Sequence, residues 1–164
     1  MAILDGFPAA SGTVDSTELR KGLAGLIIRE AAGVARAGVC PRQAKAPVRS
    51  MASSHVSVAA FEGVAVRGGG PIFMANDGAV SVAIGAAPAS NSRIDVVYFK
   101  QNESAAPYSD ANNLPVLAVV AGTAAPAPVK PALPAGAVEL ATVLVPAGVS
   151  ATNAGGVVIT QTFQ

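Results

Sequence analysis

The chain has no tryptophan, one cysteine, one histidine, two tyrosines and five phenylalanines. A single cysteine, Cys40, excludes an intrachain disulfide and fits synthesis in a reducing cytoplasm. So few aromatics leave little with which to build the stacking platforms that sugar sites use, and Tyr108 is the one candidate in a polar loop. Charge is also scarce. Acidic and basic residues make up 13% of the chain, against a usual share of roughly 25%. The net charge of +1 gives no global attraction to nucleic acid. No apolar run approaches the roughly 20 residues that span a bilayer. The opening MAILDGFPAASG lacks the basic stretch and apolar core of a secretory signal.

Chemistry-bearing groups are equally thin. His55 stands beside Ser53 and Ser54, but no nucleophile turn accompanies it and no Asp follows at a recognisable spacing. Cys40 and His55 share only their presence in one chain, so Cys40 reads as a small packing residue. Asn102, Glu103, Asp110, Asn112 and Asn113 are hard oxygen donors in one loop, without EF-hand spacing, and read as a solvated loop. Arg67-Gly68-Gly69-Gly70 lacks the Lys-Ser/Thr of a phosphate loop, opens no helix and reads as a hairpin or a bend. No paired carboxylates suggest glycoside hydrolysis. The expectation is a non-enzymatic protein with no catalytic residue, no metal and no cofactor.

What the sequence does have is small apolar residues. It is 51% apolar and contains 17 glycines and 12 prolines in 164 residues. With so little charge to cover a monomer's surface, burial against other subunits is the expected use of these residues; an alanine-rich host composition is the plain alternative.

Along the chain, residues 1–14 read as an arm. Asp15 is a good N-cap with Glu18 at the capping-box position. Leu19, Leu23, Leu26 and Ile27 then fall on one helical stripe, and the helix should fade near Ala32-Gly33. Residues 33–50 read as irregular, with a basic set, Arg36, Arg42, Lys45 and Arg49, that either touches an acidic partner or is simply a solvated linker. From residue 51 the period changes to two. HVSVA, GVAVR, VSVAI and RIDVVYF alternate or run apolar, and VLAVV, VELATVLV and GGVVIT follow. Arg93 and Asp95 share one strand face and should pair across the sheet or at a subunit boundary. The expected fold is mainly β: an antiparallel β-sandwich or barrel-like domain over residues 51–164, preceded by an N-terminal arm, one short helix and an anchoring segment over residues 1–50.

Between two Val-rich runs lies TAAPAPVKPALPAGAV. Pro126, Pro128, Pro131 and Pro134 hold the backbone near polyproline II. The segment is either a spacer lying on a neighbouring subunit or a surface crossover.

ASNSRIDVVYFKQNE (89–103), preceded by VSVAAFEGVAVRG (56–68) and followed by the V-x-G-T and proline run from Val119 to Gly148, resembles the order of motifs in bacteriophage minor tail and baseplate proteins. The resemblance covers about residues 53 to 160. It implies a β-rich virion structural module, often trimeric, at the tail tip or a fibre root. The helix-bearing N-terminal arm leaves open a second position, as a capsid-surface decoration protein or head fibre. The implied partners are further copies of this chain and other virion proteins, with no nucleic acid or membrane; a host surface glycan is the third possibility. The implied location is the virion, after synthesis in the bacterial cytoplasm. Leu19, Leu23, Leu26, Ile27, the four basic residues and the four prolines are the expected oligomer or anchor contacts.

Overall fold

The computed structural model describes residues 19, 20, 23, 26, 29–31, 34–39, 47–68 and 70–163. Their strands are β1 (Arg29–Ala31), β2 (Val34–Ala35), β3 (Gly38–Val39), β4 (Val48–Ser50), β5 (His55–Val58), β6 (Phe61–Arg67), β7 (Gly70–Asn76), β8 (Val80–Ala83), β9 (Arg93–Gln101), β10 (Pro115–Val120), β11 (Val138–Val145) and β12 (Val158–Gln161). Every pairing is antiparallel. The sheets run β10-β9-β11-β12, β3-β6-β7 and β4-β5-β8, with β1-β2 as a separate ribbon.

The mainly β expectation therefore holds, and the barrel does not. Among the described residues the ladders form separate open sheets, with no closed ring. Two of them are stitched by a side chain. The Gln161 amide at the edge of β12 donates to the Val48 carbonyl of β4 at 2.7 Å and accepts from the Val48 N–H at 3.3 Å, imitating a strand partner.

One apolar cluster draws on all three larger sheets. Val97 and Phe99 of β9, Val56 and Val58 of β5, and Phe61 and Ala65 of β6 are its buried members, with Leu140, Ala141 and Val143 of β11. The Phe61 and Phe99 rings meet at 5.1 Å, tilted by 55°. Gly63 makes room for this pair: a Cβ there would lie 2.7 Å from Phe99 Cζ. In β11 a bulge between Glu139 and Ala141 changes the phase of the strand. Val138 and Leu140 face inward before it, and Ala141, Val143 and Val145 after it.

The hairpin expected at the triple glycine is present. β6 and β7 pair from Arg67↔Gly70 outward, and Gly68 takes φ +58°, a conformation that a two-residue hairpin turn requires.

The N-terminal expectations need correction. Leu19, Arg20 and Leu23 are helical, but the chain does not stay helical to Ala32-Gly33: Arg29–Ala31 is already a strand, paired with Val34–Ala35. Gly22 and Gly25 weaken a helix, and β-branched Ile27-Ile28 favour extended chain, so the stripe is too short to carry the helix further. The arm, residues 1–14, lies outside the described residues. Nor is 33–50 irregular throughout. β3 pairs with β6 and β4 with β5, across the expected boundary at 50/51. Val39 and Val48 belong to the core cluster.

Deletion of residues 1–50 is accordingly expected to destabilise the remainder. Two buried valines alone account for about 3–6 kcal/mol at the usual value per side chain. Urea unfolding of the truncated and full chains measures the difference; equal midpoints would show that β3 and β4 are dispensable.

Candidate functional site

Two clusters of buried charge mark this chain. The first sits at the start of β9. Asp95 is fully buried, and Arg93 reaches back along the same strand face to grip it, with Nε 2.9 and 3.0 Å from the two carboxylate oxygens. The guanidinium also donates to the carbonyls of Ala86 at 2.6 Å and Ile84 at 2.9 Å. Asp95 Oδ1 accepts a further bond from the Gly122 N–H at 2.9 Å. Gly122 must be glycine here, because a Cβ would collide with the Ile94 carbonyl. One pair thus fastens the β8–β9 loop, β9 and the exit from β10. This corrects the expectation that Arg93 and Asp95 seek partners across the sheet or on another subunit. The two-residue spacing puts them on one face, and burial of Asp95 favours the nearest cation.

The second cluster closes the other end. Asp110, from the loop after β9, accepts from Lys100 Nζ at 2.7 Å and from the Glu103 N–H at 2.8 Å. Arg67 Nη1 lies 2.7 Å from its Oδ2 as an ion contact without hydrogen-bond alignment. The Lys100 hydrogen bond, then the Glu103 N–H, hold the Asp110 carboxyl down to about 2; partial desolvation opposes them and Arg67 assists. Arg67 lies over the Tyr108 ring, 4.7 Å from its centroid, and donates to the Ala135 carbonyl at 3.0 Å. Gly136, at φ +75°, packs against the same guanidinium, in a turn closed by the Ala137 N–H on the Pro134 carbonyl. Glu103 carries the chain of charge outward to Arg20, whose Nη2 is 2.6 Å from Oε1. Arg20 backs onto Gly70, which has no room for a side chain. Helical Arg20 is thereby docked on the β6–β7 hairpin.

The 101–114 loop is exposed along most of its length, as expected of a solvated loop, but its side chains also bond it into a defined shape. Its oxygens are engaged inside the chain. Asn112 Oδ1 accepts from Asn102 and from the Leu114 N–H, and Asn113 Oδ1 accepts from Ser104. Tyr108 has one face covered by Arg67. Among the described residues no three His, Cys, Asp or Glu side chains gather where a metal ion would sit, and no helix is long and apolar enough to cross a membrane. Ser53, Ser54 and His55 use their carbonyls to hold Thr152 and Ile84. Beside them, Ile84, Val145 and Thr152 line a recess with room for about one water.

The residues expected to make contacts are dispersed. Leu19 and Leu23 are half-buried, and Leu26, at 80% exposure, is open. Arg36 and Arg49 are exposed; Ile27, Arg42 and Lys45 lie outside the described residues, as does Cys40. Pro128, Pro131 and Pro134 are half-buried and Pro126 is exposed. Sequence reasoning missed the Arg67–Asp110–Lys100 hub, because its arginine and aspartate come from separate segments with no spacing rule. The signal that was there is the scarcity of charge itself: a chain with so few ionisable groups has those few in specific places.

No family model, curated protein or solved structure matches the chain.

Arg93→Ala is expected to cost about 3–5 kcal/mol, since it leaves Asp95 buried without its cation; a loss below 1 kcal/mol on urea unfolding would remove the clamp from the account. Asp110 has a lowered folded pKa, so its contribution is complete above the ordinary value of 3.8 and is lost as pH falls towards 2. Asp110→Asn should flatten the stability–pH curve between pH 4 and 2 relative to wild type, on the order of one proton's worth of slope; superimposable slopes would contradict the hub.

Proposed function

We propose that this chain is a non-enzymatic structural subunit of a bacteriophage particle. It acts as a homo-oligomer, most simply a trimer, at the tail tip, baseplate or fibre root. The observation that supports it best is how charge and apolar surface are divided. Charged residues are few, and at least nine of the 21, five basic and four acidic, form ion pairs within the chain. The outside keeps large apolar side chains: Leu26, Phe73, Leu114, Val129 and Val158 are exposed. A chain with little charge and exposed large apolar groups suits burial against other chains.

The motif order that resembles tail and baseplate proteins adds to this reading. Its R-I-D and V-x-G-T segments are the two halves of the Asp95 clamp. They serve to build a rigid body, with the four-stranded sheet packed as one layer of a sandwich against the β3-β6-β7 and β4-β5-β8 sheets. The N-terminal region 1–50 would carry attachment to other virion proteins through exposed groups such as Leu26. Several weak anchors, one per subunit, then act together.

Sedimentation at about 10 μM protein, a concentration at which a multivalent assembly should persist, is expected to show an oligomer. Immunogold labelling of intact particles is expected to place it at the tail tip. Label on the head would reassign it as a decoration protein. A monomer absent from particles would overturn the reading.

A further inference from the structure

Residues 77–79 join β7 to β8 between two fixed points. On one side Asn76 closes the β6–β7 ladder opposite Phe61, and its side-chain amide donates to the carbonyls of Ala59 at 2.9 Å and Val58 at 3.4 Å. On the other side Val80 pairs with Val58 at the start of β8. Between them Asp77, Gly78 and Ala79 are all exposed, and Gly78 sits in a bend. A Cβ placed at Gly78 would meet nothing within 4 Å. The Asp77 carboxylate forms no ion pair or hydrogen bond among the described residues.

The other described aspartates differ in both respects. Asp95 is fully buried, is gripped by Arg93 and precedes β-branched Val96. Asp110 is held by Lys100 and the Glu103 N–H and precedes Ala111. Only at Asp77 does a carboxylate without a partner stand next to a glycine.

We infer that Asp77 is a site of spontaneous backbone modification, which converts it to isoaspartate through a cyclic imide. The Gly78 amide nitrogen attacks the side-chain carboxyl carbon of Asp77. A C–N bond forms, the carboxyl C–OH bond breaks, and the amide proton leaves with that hydroxyl as water. Water then opens the five-membered imide. Opening at the α-carbonyl leaves the chain running through the former side-chain carbonyl, with a free α-carboxylate beside it. Glycine favours the attack in two ways. Its nitrogen is not shielded by a side chain, and its peptide unit can turn into conformations that a Cβ bars. The Asp77 carboxyl has no cation or N–H to give up. The product has one more methylene in the backbone, which an exposed three-residue link can absorb. The pairings at Asn76 and Val80 meanwhile keep Val82 and Ile84 in the core.

The test ages the purified full chain in buffer and, in parallel, in urea. Isoaspartate is read by methyl transfer from S-adenosylmethionine with a protein isoaspartate methyltransferase, and is located by peptide mapping. The folded chain is expected to form it at Asp77 at a rate within roughly threefold of that in urea, because an exposed link needs no unfolding to react. Two variants should each lower that rate about tenfold with unchanged circular dichroism. Gly78→Val places a β-branched side chain beside the reacting nitrogen, where there is space for it in the fold. Asp77→Glu would need a six-membered imide, which closes more slowly. Isoaspartate at Asp77 only after denaturation, isoaspartate confined to Asp5, or an undiminished rate in Gly78→Val would each overturn the inference. A Gly78→Val chain that fails to fold leaves Asp77→Glu and the comparison with urea to decide.

Discussion

The fold depends on one buried carboxylate. Asp95 has no exposure to water, so its charge is sustainable only while Arg93 and the Gly122 N–H remain in place. Those partners come from the same strand and from the exit of β10. The Arg93 guanidinium in turn holds the carbonyls of Ile84 and Ala86. The β8–β9 loop is thus fastened to the β9–β10 ladder at one point. The chain leaving β10 then has a single direction available, past Ile94 and into the Ala125 bridge with Ser92.

The Arg67–Asp110 hub does the same work at the other end of the sheet, with different logic. Asp110 is shared by Lys100 and Arg67, and Arg67 is shared by Asp110, Tyr108 and Ala135. Two cations about one carboxylate leave local positive charge, and Glu103 balances part of it while drawing in Arg20. The N-terminal helical turn is attached through this network as well as through half-buried Leu19 and Leu23. That attachment is polar, directional and sensitive to loss of a single group.

Much of the β architecture was legible because the period-two stretches, VSVAAFEGVAVR and RIDVVYF among them, fall on real strands. β9 was legible for a second reason: a strand central to its sheet is buried on both sides and reads as an apolar run. The short strands β1 to β4 were not legible. With two or three residues each, amid glycine and proline, they have no period of their own; β3 and β4 exist because β6 and β5 offer them partners, and β1 and β2 because they pair with each other. The β11 bulge was hidden too, since Leu140-Ala141 reads as plain alternation until the register is known. At the candidate site, the prolines were visible at once. The hub was not, because its charges are assembled by tertiary structure and look like ordinary loop polarity in a linear reading.

The two charge clusters acquire a common meaning through the segment between them. The Asp95 clamp fixes its beginning at Gly122 and Ala125, Lys130 pins its middle to Glu139, and Arg67 holds its end at Ala135 and Gly136. A proline-rich stretch is already stiff, and three anchors along it remove most of the freedom that remains. Such a ridge loses little entropy when another surface settles on it, so even modest apolar contact can leave a net gain. The same stiffness explains why so few charges suffice in this chain. At least nine of them hold segments of the chain together through ion pairs, and Phe73, Leu114, Val129 and Val158 are left exposed beside them.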